Sequence, residues 1–161
     1  MNQPKENIQR KFFSNEELVL LNALHDKELK EVYCYLWVNK VNSKHPLDMI
    51  MALELVTDEK PIILSIHDTD EAIEVNNFDF DSIQHQLNEE FGDKIKIYRI
   101  SASDTGMWKN CIGKKIQAVE LTREDKNYYS DSILLNFGEE MRIVNASPLD
   151  GLIIDFYEKE I

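Results

Sequence analysis

Apolar residues recur along the chain with two periods, and the switches between them mark the elements. Ser14 and Glu17 stand at the spacing of a capping box, Phe13 and Leu18 at that of a hydrophobic staple. Leu18, Leu21 and Leu24 continue at helical spacing, which predicts a helix from Asn15 to about His25. Residues 32–38 are rich in β-branched and aromatic side chains and predict a strand, closed by a polar loop over 39–46. Residues 49–56, 62–66 and 72–75 read as three more strands with short links, completing a four-stranded antiparallel meander. Asp79 then caps a second helix over 80–91, where Phe80, Ile83, Leu87 and Phe91 fall three, four and four apart before the stop at Gly92. Ile95, Ile97 and Ile100 form an alternating strand. Strands over 116–121, 133–137, 141–144 and 152–157 repeat the first meander in outline.

The expected architecture is therefore α+β: mainly antiparallel sheet(s) from two similar four-stranded meanders, with an N-terminal helix and a central helix. Residues 1–13 read as a flexible N-terminal tail. Residues 14–161 read as a single domain, with repeat units at 32–75 and 116–157 joined by the helix at 80–91.

A chain of 161 residues that is 43% hydrophobic and 30% charged suits one compact domain and excludes disordered and fibrous classes. No run approaches the roughly 18 apolar residues of a membrane helix, and the start lacks a cationic region leading into an apolar one. A soluble, cytoplasmic protein is expected.

Charge changes the picture most. The formal net charge is −12, and residues 45–93 hold thirteen acids against one base, Lys60. Residues 94–115 reverse this, with six bases against Asp104. A concentrated negative field repels nucleic-acid phosphates and anionic lipid, and attracts cationic partners. The expectation is a basic protein partner, with no nucleic acid and no membrane. The contact residues it implies are Asp68, Asp70, Glu71, Glu74, Asp79, Asp81, Glu89 and Glu90, with Trp108, in a polar loop beside basic residues, as an apolar anchor. The plainer reading of the same charge is a solvated surface that keeps the chain soluble.

Candidate chemistry is sparse. Cys34 and Cys111 are too few for a disulfide framework and too far apart for a CxxC site, so both read as reduced, buried thiols. His67-Asp68-Thr69-Asp70 is the densest group of metal-ligating types, yet an Asp-rich turn between strands accounts for it equally. Asn77, Asp79 and Asp81 have the opening spacing of a calcium loop, which fails at its sixth and twelfth positions, Ser82 and Asn88. The five glycines form no phosphate-binding loop. No catalytic residue, metal or cofactor is expected. Two other readings stay open: a small-molecule or metal-dependent enzyme with a site near His67, Asp68 and Asp70, and a structural module that associates with itself.

The pattern Trp108-x-x-Cys111-Ile112-Gly113-Lys114-x-Ile116-x-x-Val119-x-Leu121, then residues 133–137 and Asp150-Gly151-Leu152, resembles small uncharacterised bacterial β-rich proteins, some of them suspected toxin-immunity proteins. The resemblance covers residues 108–156 and carries no functional residue across. It implies a toxin-immunity role; independently of it, an acidic chain without a catalytic signature suits a non-enzymatic inhibitor that docks an acidic surface on a basic toxin.

Overall fold

The computed structural model describes residues 12–40, 47–66, 72–147 and 149–158. Helix α1 (Asn15–Asn22) begins where its capping box sets it: the Glu17 amide donates to Ser14 Oγ at 3.2 Å, and the Ser14 amide to Glu17 Oε1 at 3.0 Å. It stops at Asn22, two residues short of Leu24, because the chain turns at Asp26 (φ 65°), whose amide donates to the Ile116 carbonyl. The other carboxylate oxygen of Glu17 accepts the Val75 amide at 2.9 Å, so one buried side chain caps the helix and ties it to the sheet. The tail expected over residues 1–13 falls outside the described residues up to residue 11. Phe13 is buried in the core, and Phe12 bridges to Tyr129.

Strands follow as β1 (Glu31–Asn39), β2 (Leu47–Val56), β3 (Ile62–Ile66) and β4 (Ile73–Val75), then helix α2 (Phe80–Phe91) and β5 (Ile95–Ser101). The second half holds β6 (Ala118–Glu120), a small hairpin of β7 (Arg123–Glu124) and β8 (Asn127–Tyr128), then β9 (Ser132–Asn136), β10 (Met141–Ser147) and β11 (Gly151–Phe156). The hairpin lies between the strands predicted over 116–121 and 133–137.

Consecutive strands β1 to β4 pair antiparallel, β5 returns to β1, and β6, β9, β10 and β11 pair antiparallel in that order. A parallel contact joins the two sets, with Gly151 of β11 opposite Ile50 of β2. Pairing is mainly antiparallel, as expected, but this parallel contact makes one curled, mixed sheet of nine strands among the described residues, not a purely antiparallel one. Nor are the two sets equivalent. The nine-residue β1 lies between β2 and β5, while its expected counterpart near 116–121 yields a three-residue edge strand. A parallel join needs no hairpin, only two strand ends brought together by the curl, so local pattern does not announce it.

The join depends on one residue type. Gly151 has φ +79°, and a Cβ there would lie 2.4 Å from the Ile50 carbonyl oxygen. Beyond it β2 continues into its pairing with β3 while β11 diverges, and the curled sheet encloses a core. Val32, Cys34, Leu53, Leu55 and Leu64 from one set meet Ile133, Leu135, Val144 and Leu152 from the other in a single cluster. The opposite face of β1, β2 and β5 presents Tyr35, Ala52 and Ile97, which α2 covers with Phe80, Ile83 and Leu87.

Candidate functional site

The acids expected to meet a partner divide into three groups. Asp68, Asp70 and Glu71, together with His67, lie outside the described residues. Glu74 sits half-buried on β4 and accepts the Asn77 side-chain amide at 2.9 Å. The rest gather on and around α2, which is built for display. Asp79 accepts the Ser82 amide at 3.1 Å and fixes the start of the helix. The apolar stripe of α2 goes into the cluster with Tyr35, and Gln84 accepts the Ile97 amide at 2.8 Å, which pins the helix to β5. Asp81 and Glu89 remain exposed on the other side, Glu90 is exposed at the C-terminal end of the helix, and Asp93 is exposed in the turn that follows.

Trp108 is elsewhere. At 2% exposure it belongs to the core, so it does not serve as a surface anchor. The turn over 102–113 folds on itself, with the Trp108 amide donating to the Thr105 carbonyl and that of Cys111 to the Trp108 carbonyl. A short polar loop that closes over its own aromatic looks exposed in sequence. Phe91, the last position of the helical spacing, is 39% exposed beside Glu89, Glu90 and Asp93.

Not every acid of the 45–93 stretch is free to act. Glu54, 6% exposed, accepts Arg99 Nε at 3.2 Å, Arg99 Nη2 at 3.0 Å and the Tyr35 hydroxyl at 2.7 Å. The Arg99 guanidinium also lies 3.7 Å above the Tyr33 ring. Burial pushes the Glu54 pKa up, but the hydrogen bonds from Arg99 and Tyr35 and the Arg99 charge outweigh it and hold the carboxyl below its ordinary value. Asp58 pairs with Lys30, whose hydrogen bond and charge lower the Asp58 pKa, and Glu59 lies 3.6 Å from Lys27. Around α2 the balance differs. Among the described residues no Lys or Arg lies within ion-pair distance of Asp79, Asp81, Glu89, Glu90 or Asp93. Glu89 has only His85, at 3.1 Å. The basic stretch downstream spends Arg99 on Glu54 and Lys115 on Asp26.

Both cysteines are buried, and burial pushes the Cys34 thiol up to about 11 and raises that of Cys111. Among the described residues no three His, Cys, Asp or Glu side chains gather as metal ligands, and no helix is long and apolar enough to cross a membrane. A cleft of about 380 Å³ opens between α1 and β6, lined by Leu18, Leu21, His25, Val119, Leu121 and Tyr128 among others. Its walls come from segments a hundred residues apart, so no local pattern reveals it. Comparison with protein-family models, curated proteins and solved structures finds no match for the chain.

Proposed function

We propose that this chain is a non-enzymatic binding protein of the immunity type, which docks the acidic side of α2 on a basic partner such as a toxin. One observation carries the reading. Acids at 54, 58 and 59 are matched by Arg99, Lys30 and Lys27, whereas those of α2 stand exposed with no Lys or Arg against them among the described residues. A helix whose apolar side is already occupied by the sheet, and whose other side carries unmatched carboxylates, offers a field to something cationic. The mechanism is blockage: Asp81, Glu89, Glu90 and Asp93 match cationic groups with which the partner holds its own substrate, while Phe91 supplies the apolar anchoring. Asp79 acts by capping the helix that carries the others.

The test begins with the partner. Immobilised protein is exposed to extracts of the source cells, and a retained basic protein is identified by mass spectrometry and purified. Asp81→Lys, Glu89→Lys and Glu90→Lys together should then slow association about tenfold at low salt and flatten its salt dependence. Asp79 is left intact so that the helix keeps its cap. Association at the wild-type rate in the triple variant rejects the α2 surface.

A further inference from the structure

Helix α2 covers the outer face of one part of the sheet, and among the described residues no helix covers the corresponding face of β9, β10 and β11. These strands turn Ile133, Leu135, Val144 and Leu152 into the core, so alternation sends Leu134, Ile143 and Ile153 outward. Register lines them up: Glu120, Leu134, Ile143 and Asp155 stand side by side across four strands, and Ser132, Asn145 and Ile153 form another outward row. Ile153 is 37% exposed, Tyr157 39%, and Leu134 and Ile143 are half-buried with neither helix packed extensively over them. A recess of about 170 Å³ lies between Leu134, Ile143 and Tyr157, with Glu120 at its rim.

The charge of this region is one-sided. Between Lys126 and Lys159 the sequence holds Asp131, Glu139, Glu140, Asp150, Asp155 and Glu158 against a single base, Arg142. Arg142 is 1% exposed, with Nε donating to the Met107 carbonyl at 2.6 Å and Nη1 to Glu140 at 3.0 Å. On strands β6, β9, β10 and β11 the outward charges are therefore Glu120 and Asp155, one at each end of the apolar row. We infer that this face docks a cationic amphipathic helix of a partner protein, its apolar stripe on Leu134, Ile143 and Ile153 and its flanking Lys or Arg residues on Glu120 and Asp155.

Three features select that occupant. A second copy would bring acids against acids. Both edges of β9 and of β10 are already paired, so a strand has no backbone to join there. And α2, seated on Tyr35, Ala52 and Ile97 through Phe80, Ile83 and Leu87, shows how this sheet accepts a helix. The surface is separate from the acidic side of α2 and stands or falls independently of it.

A short synthetic Leu/Lys amphipathic helix is the probe, titrated into isotope-labelled protein with affinity read by fluorescence anisotropy. Shifts should centre on Leu134, Ile143, Ile153 and Tyr157. Glu120→Lys with Asp155→Lys should weaken the peptide about tenfold, and the exposed Ile153→Gln should weaken it severalfold with an unchanged melting profile. Asp81→Lys with Glu89→Lys should leave it unchanged. Shifts centred on α2 and lost in the Asp81/Glu89 variant overturn this inference while favouring the α2 reading. Shifts scattered over all acidic segments overturn it as non-specific attraction, and a protein mass that doubles with concentration unless Ile153 is changed overturns it in favour of self-association.

Discussion

Replacing Glu54 by Gln keeps the shape of the side chain and removes its charge at a place where an acid of the 45–93 stretch is committed inside the fold. Glu54 accepts three hydrogen bonds, two from Arg99 and one from Tyr35, and Tyr35 is itself buried. Losing a charge-assisted pair costs about 1.5–3 kcal/mol, and a buried donor left without a full partner about 1–3 kcal/mol. Two features hold the sum down: the Arg99 side chain is 43% exposed and rehydrates when released, and the Gln carbonyl still accepts from Tyr35. The expected loss is about 2 kcal/mol at pH 7, or about 4–8 °C in melting temperature for a chain of this length. The pH dependence fixes the cause. Because the folded-state pKa of Glu54 lies below the ordinary value of 4.5, its ionised form adds stability that is complete above that value and disappears as pH falls through the folded one. Thermal melts followed by circular dichroism from pH 7 downward should therefore show wild type and variant well separated above pH 4.5 and converging as acid protonates Glu54 in the folded chain. A separation that stays constant across the whole acid range over which the wild type remains folded means that packing rather than the ion pair supports the strand junction, and the reasoning fails.

The join between the two sets of strands gives a second prediction. In Gly151→Ala the left-handed backbone costs about 1–2 kcal/mol and the clash with the Ile50 carbonyl about 1–3 kcal/mol, so urea unfolding should show a loss of about 2–5 kcal/mol. A loss under about 0.5 kcal/mol means that β11 does not meet β2 at that point. The thiols give a third. With its pKa pushed up to about 11, Cys34 is about one part in a thousand thiolate at pH 8, and both cysteines are buried. A disulfide reagent should label neither until the chain is unfolded in denaturant, and immediate labelling of the native protein contradicts their placement.

What the sequence makes legible follows the range of the interaction responsible. The start of α1 and the whole of α2 are visible because a cap and its amide lie three residues apart, and a helical stripe repeats within a dozen residues. Most strands show for the same reason. The pairing of β5 with β1 and the parallel meeting of β11 with β2 join segments about sixty and a hundred residues apart, and alternation says which face a residue takes but not which strand lies beside it. The site divides likewise. Counting charges finds the acidic stretch, but the bases that silence part of it, Lys27, Lys30 and Arg99, come from outside it. The second acidic region, over 127–158, is hidden by a tally of the whole remainder, in which acids and bases cancel. Only the inward turn of Arg142 turns that local excess into a surface.

The two proposed surfaces differ in kind, and the difference decides how each responds to salt. On α2 the apolar side is used by the sheet, so what remains is charge around a helix, with Phe91 as the apolar contact. Such a surface acts at a distance: it raises the rate of encounter and fades once the Debye length falls below about 10 Å, near 0.1 M salt. The face of β9, β10 and β11 is mainly aliphatic, with one carboxylate at each end of the row, so most of its contribution comes from water released at contact and survives screening. A partner that engages both should therefore lose its fast association on raising salt from low to physiological strength while its dissociation rate scarcely changes. A dissociation rate that rises in step with salt would mean that carboxylates rather than the aliphatic row hold the complex together, and would leave the sheet face without a role in retention.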